Sequence, residues 1–146
     1  MSTGKTNAKH IRVTIDDATE ARDISTAVSN ISGVGLSYAE TDVTGYSDGV
    51  VNFTMGHPSS TIEITGPFTN LASTGAHTVF AAINGKEDST YTCTVTVQIG
   101  IRADPTTGDP EFEGEYKCAS YMLNGDGTYT ARMVPGSATV PTWGTM

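Results

Sequence analysis

Histidine, serine, aspartate and cysteine are the side chains here that could do acid–base or covalent chemistry, and their placement argues against it. His57 precedes Pro58 in a turn-like stretch. His77 falls near the start of a helical pattern, where an imidazole packs or hydrogen-bonds more often than it catalyses. A Ser–His–Asp triad is recognised by geometry, and none of the local signatures that accompany one occurs. Asp16-Asp17 and the acids of 104–109 lack the spaced oxygen ligands of a calcium loop. Cys93 and Cys118 have the wrong spacing for zinc and no histidine near them. Residues 1–9 are polar, without an apolar segment that would direct secretion, so both thiols are expected reduced and buried as small apolar groups. Trp143, Tyr116, Tyr121 and Tyr129 could form a stacking platform for a sugar, but aromatics on both faces of a hairpin serve core and interface more often. The expectation is a chain with no catalytic residue, no metal and no cofactor.

The elements that carry these residues read as β-structure. Ile11, Val13 and Ile15 alternate with Arg12, Thr14 and Asp16, a half-buried strand. Residues 24–38 are weakly apolar and broken by Gly33 and Gly35, which suggests a bent strand or strand pair. Residues 40–49 are polar and punctuated by Asp42, Gly45, Asp48 and Gly49, a long connection of the kind that is usually functional. Strands follow at 50–55 and 61–65, separated by Gly56-His57-Pro58. The one helical pattern spans 70–84, with Ser73 or Thr74 as cap, Val79, Phe80 and Ile83 as its apolar stripe, and Asn84-Gly85 as its stop. Tyr91, Cys93, Val95, Val97 and Ile99 define the clearest strand. At the C-terminal end, Tyr116, Cys118, Ser120 and Met122 fall on one face of a strand, with Lys117, Ala119, Tyr121 and Leu123 on the other. Asn124, Gly125, Asp126 and Gly127 form the strongest turn signal of the chain. Residues 128–134 return as the partner strand, and 140–144, with Pro141 and Trp143, form an extended tail.

Composition agrees. A chain of 146 residues with 37% hydrophobic and 16% charged residues fits one domain, expected over 10–146 behind a flexible arm at 1–9. No apolar run approaches the roughly 20 residues that span a bilayer. The formal net charge of −8, with scattered Lys and Arg, excludes a protein that grips nucleic acid through clustered cations.

Several short motifs, in fixed order, resemble the tail tube proteins of long-tailed, non-contractile bacteriophages. They are the strand Ile11–Asp16, then Arg22-Asp23-Ile24-Ser25, then Asp42-Val43-Thr44-Gly45. Gly66-Pro67-Phe68-Thr69-Asn70 and Ala76-His77-Thr78-Val79-Phe80 follow, and the turned hairpin with its closing Pro141-Thr142-Trp143 ends the series. The resemblance covers nearly the whole chain. It implies an all-β fold, a β-sandwich or partly open barrel with one flanking α-helix, whose protomers form hexameric rings stacked into a hollow tube. It implies an intersubunit loop at Thr41, Asp42, Val43, Thr44, Gly45, Tyr46, Ser47 and Asp48. Glu63, alone among threonines on its strand's polar face, is expected toward the lumen, where an acidic wall lets DNA slide. The implied partners are further copies of the chain, a tape measure protein, a tail terminator and distal tail proteins, with double-stranded DNA in transit and no specific DNA binding. The implied location is the virion tail, assembled in the host cytoplasm, with no membrane insertion. A capsid decoration protein, a tail terminator and a carbohydrate-binding β-sandwich are the competing readings.

Overall fold

A computed structural model of the chain describes residues 8–17, 20–86, 93–101 and 103–146. The strands are β1 (Ile11–Asp16), β2 (Ala21–Asp23), β3 (Asn30–Ser32), β4 (Ser37–Asp42) and β5 (Phe53–Ser59). They continue as β6 (Ile62–Pro67), β7 (Cys93–Ile99), β8 (Pro110–Leu123), β9 (Thr128–Pro135) and β10 (Thr142–Thr145), with helix α1 (Ala76–Ile83) between β6 and β7. Eight strands form one sheet in the order β2-β1-β7-β8-β9-β6-β3, and β10 also pairs with β8. All of these pairs are antiparallel. The fold is all-β with one helix, as expected, and the sheet is open between β2 and β3 and does not close into a barrel.

Period-2 alternation sets which face is buried. Val13 and Ile15 of β1, Ile62 and Ile64 of β6, Cys93, Val95 and Val97 of β7, and Tyr129, Ala131 and Met133 of β9 share one core cluster. Both ends of the sheet thus contribute to a single core, so the sheet curls around it. Residues 24–29 hold the two ends together. The Ile24 N–H donates to Val13 O at 3.0 Å and the Ser29 N–H to Thr65 O at 2.8 Å. The buried Tyr129 hydroxyl donates to Ala27 O at 2.7 Å. Gly66 permits this approach, because a Cβ there would lie 1.9 Å from Ala27 O.

Helix α1 buries Ala76, Val79, Phe80 and Ile83, the i, i+3, i+4, i+7 stripe of an amphipathic helix. It is shorter than the expected 70–84 and begins after Gly75, without a Ser73 or Thr74 cap. Ser73 instead sits at φ 71°, in the turn before the helix. Thr69 does the capping from a distance: its hydroxyl accepts the Ala76 N–H at 3.0 Å and its carbonyl the His77 N–H at 3.0 Å. The C-terminal stop is as expected, with Asn84 N–H bonded to Phe80 O and Gly85 at φ 72°.

Two further expectations are corrected. Gly56-His57-Pro58 does not separate two strands; it lies inside β5. A register shift between Tyr38 and Glu40 of β4 absorbs the irregularity, and Pro58 is tolerated because β5 pairs with β4 alone. Met122 does not share a face with Tyr116 and Cys118. A bulge between Cys118 and Ser120 shifts the alternation, so Met122 is exposed while Tyr121 joins the inner face, ring-to-ring with Phe80 and Tyr129. The 140–144 tail is extended, as expected, and its end pairs as strand β10, which seats Trp143 on Phe112 at 5.0 Å, while Pro141 is buried over Gly114. Tyr91, and the N-terminal arm through residue 7, lie outside the described residues.

Candidate functional site

Strands β4 and β5 form a separate two-stranded ribbon. Ser37 pairs with Ser59 at its base and Asp42 with Phe53 near its tip. Thr41 and Asp42, expected in a loop, belong to β4, while Val43, Thr44, Gly45, Tyr46, Ser47 and Asp48 lie in the 43–52 tip. The tip is stitched by its own polar groups. Asp42 Oδ1 accepts the Thr44 N–H at 2.9 Å and the Thr44 hydroxyl at 2.6 Å. These bonds, the hydroxyl first, hold the Asp42 carboxyl below its ordinary range. Asn52 N–H donates to Thr44 Oγ1 at 2.7 Å, and Gly45 N–H donates to Asp48 Oδ2 at 2.8 Å.

The ribbon carries more apolar surface than the sequence reading of a polar excursion allowed. Tyr38, Val43, Tyr46, Val50, Val51, Phe53 and Met55 are all exposed. Only Pro58 among the residues of the two strands is even half-buried. An isolated hairpin with both faces in water is marginal at best, and contiguous exposed apolar surface marks an interaction site. The signal available beforehand was Val50-Val51 beside Tyr46, three large apolar side chains in a stretch otherwise typical of a surface turn.

The outer face of the sheet is polar. On it β7 presents Thr94, Thr96 and Gln98, paired in register with Glu115, Glu113 and Glu111 of β8. Thr94 Oγ1 donates to Glu115 Oε1 at 2.6 Å and Gln98 Nε2 donates to Glu111 Oε2 at 2.9 Å. Glu63 points out on β6 but stands opposite Arg132 of β9, so its charge has a cation beside it. The stronger acidic stripe is Glu111-Glu113-Glu115, which sequence reading passed over although the i, i+2, i+4 spacing on a strand was visible. Asn124, Gly125, Asp126 and Gly127 close the β8–β9 turn, with Gly127 at φ 83° and Asp126 Oδ1 accepting both the Thr128 hydroxyl and N–H.

The residues with catalytic potential have structural surroundings. His77 Nδ1 lies 3.2 Å from the Tyr121 hydroxyl, between the Phe68 and Tyr121 rings. His57 is exposed on β5. Cys93 and Cys118 are buried and are not joined in a disulfide, their thiols pushed up to about 12 and about 11 chiefly by burial. Among the described residues no group of three or more His, Cys, Asp and Glu could hold a metal ion, and no helix is long and apolar enough to cross a membrane.

No family model matches the chain, and no curated protein does. Its fold has counterparts among solved structures. One is a chain in the tail of an empty gene transfer agent particle, helically refined with C6 symmetry, at TM-score 0.61 and 19% identity over 96% of this chain and 99% of that one. A second lies in the extended sheath–tube complex of PVC, an extracellular contractile injection system, at TM-score 0.57 and 14% identity over 92% and 89%. A third comes from the extended sheath/tube terminator of PVC, at TM-score 0.56 and 13% identity over 91% and 93%. At these identities the likeness is one of fold, and it extends over almost the full length of each partner.

Proposed function

We infer that this chain is a phage-tail-like tube protomer that assembles with further copies of itself into stacked hexameric rings around a channel for DNA. The observation that carries the reading is the end-to-end match to a chain of a C6-symmetric, helical tail. The ribbon supports it, because a two-stranded element exposed on both faces needs a neighbour, and a repeating tube supplies one to every copy. Its role is to clasp the adjacent protomer through Val43, Tyr46, Val50 and Val51. The acidic and threonine-rich outer face supports a lumen that repels DNA phosphates, with Glu111, Glu113 and Glu115 contributing more than Glu63. The protein acts through shape and charge, without catalysis. Tape measure, terminator and distal tail proteins complete the particle, which forms in the host cytoplasm and ends in the virion. Assignment to non-contractile tails rests on the ordered sequence motifs, since the structural neighbours include a contractile system.

Negative-stain microscopy of the purified full chain tests this. The expected result is hollow tubes of uniform diameter whose end views have six-fold symmetry. Monomers or closed single rings at all concentrations overturn it. Single capped rings would favour the second reading, a tube terminator, to which one neighbour of the same fold points.

A further inference from the structure

The β4–β5 ribbon continues the β3–β6 pair beyond a break. Pairing of β3 with β6 stops at Ser32 opposite Glu63, and pairing of β4 with β5 starts at Ser37 opposite Ser59. Residues 33–36 and 60–61 form the neck between them, outside any strand. An open cleft of about 310 Å³ lies at this neck, lined by residues 33–37 and 59–61. Gly33 and Gly35 stand there at φ 80° and 132°, conformations that let the backbone change direction. We propose that Trp143 is a positioning residue for the ribbon: the C-terminal strand holds the neck at one angle, and that angle sets where a copy meets its neighbour. The proposal rests on the tube reading and adds what aims its clasp.

The neck has two fixed points on the body of the molecule. Leu36 packs against the core cluster, and the buried Ser60 hydroxyl shares a 2.7 Å hydrogen bond with the Tyr116 hydroxyl. Two points define an axis about which the ribbon can still swing, so a third contact off that axis is needed to fix its direction. Trp143 supplies it. A Cβ on Gly35 would lie 3.9 Å from Cζ2 and Nε1 of the indole, so the ring stands against the backbone at Gly35. The ring is itself held, edge to face with Phe112 at 5.0 Å, on a strand paired with β8 from Thr142–Glu113 to Thr145–Pro110. Ahead of it, Pro135 and residues 137–141 face Leu36 and residues 57–60 across a cleft of about 150 Å³. The same segment therefore flanks both strands of the neck. Contacts further along the ribbon cannot do this, because apart from Pro58 every residue of β4 and β5 is exposed. An arm aimed in advance loses less freedom on binding than a swinging one. In a repeating assembly an angular error at one contact recurs at every other.

Single-molecule energy transfer tests the positioning, because it reads the full chain at concentrations too low for polymer. Donor and acceptor maleimides are attached at Tyr46→Cys on the ribbon tip and Gly125→Cys on the β8–β9 turn, both exposed. The buried native thiols stay protonated and unreactive. The expected result is one narrow distance distribution, a broadened one in Trp143→Ala, and recovery in Trp143→Phe, which keeps a ring at that place. Without labels, Trp143→Ala is expected to lose tubes of uniform diameter and Trp143→Phe to retain them. Where Trp143→Ala melts too low to label, Trp143→Leu takes its place, keeping an apolar cover on Phe112 while removing the ring from Gly35. A distribution left unchanged by these variants overturns the proposal, and so does a wild-type distribution that is already broad. Uniform tubes from a variant whose ribbon distance has broadened also overturn it, since the angle then has no bearing on assembly. None of these results touches the tube reading, which microscopy of the wild type decides. The expected change in distance, in a wild-type chain that never forms tubes, keeps the buttress and removes the tube reading.

Discussion

Replacing Val50 and Val51 by serine isolates the ribbon's contribution to assembly. Both side chains are exposed in the single chain, so the substitution removes no contact from its own core. If a neighbouring copy covers them, each valine contributes about 1.5 kcal/mol of burial, or about 3 kcal/mol for the pair. Since about 1.4 kcal/mol is tenfold in an equilibrium constant, the critical concentration for polymer rises on the order of a hundredfold. Each protomer offers one ribbon, so the loss enters once per subunit added. The assay is pelleting of polymer across a concentration series, with the melting temperature of unpolymerised protein measured in parallel. The reasoning predicts a large shift in the first and none in the second. An unchanged critical concentration means that the ribbon is not a contact surface. A lowered melting temperature means that it packs on its own chain.

Gly66→Ala places a methyl 1.9 Å from Ala27 O and forces apart the seam that holds β6 to the 24–29 segment; a loss of about 1–3 kcal/mol in chemical denaturation is expected, and wild-type stability would sink the argument. Glu63→Lys sets two cations opposite each other at the β6–β9 pair, and about 0.2–1 kcal/mol of destabilisation is expected from the Arg132 register alone. If Glu63 also lines the lumen, the same variant slows DNA ejection at low salt, where screening is least; unchanged kinetics there refutes that placement. Cys93 and Cys118 are expected to resist alkylation in the folded protein at neutral pH and both to react on denaturation, and a disulfide-linked peptide would contradict this. Their folded-state thiol values are raised to about 12 and about 11. The unfolded chain therefore releases these protons first, and their contribution to stability, complete below the ordinary thiol range, is lost as pH rises through about 9 toward 12. Stability that stays level across that alkaline interval would refute the burial of these thiols.

The strands that sequence reading found are those with one wet and one dry face. In β1, β6, β7 and β9 the burial follows the alternation of Val13 and Ile15, Ile62 and Ile64, Val95 and Val97, and Ala131 and Met133. Where both faces meet water, that pattern has no reason to exist, so the 40–42 end of β4 carries no strand signal and reads as part of the 40–49 loop, while only the 53–55 start of β5 reads as strand. The bulge near Ala119 was also invisible, because one extra backbone residue leaves no compositional trace while reversing every later side chain of β8. The helix start was misplaced because its cap comes from Thr69, across a turn that local capping rules do not span. The acidic stripe at Glu111, Glu113 and Glu115 was legible, but its neighbours Thr94 and Gln98 became evident only through pairing across strands.

The pairing of β1 with β7, Ile11 against Ile99 through Asp16 against Thr94, has a kinetic consequence. The first described strand cannot find its partner until most of the chain has been synthesised. The ribbon, by contrast, joins strands separated by a short tip and can zip within microseconds. Such long-range closure is slow compared with local hairpins. During synthesis the β4–β5 ribbon is ready early, while Ile11 and Val13 take their places late. A newly made chain therefore displays its apolar ribbon before its sheet is complete. Under the proposed tube reading, a chain still on the ribosome offers an exposed apolar ribbon while its sheet is unfinished, so completion of the β1–β7 pairing sets when a whole protomer can join a polymer.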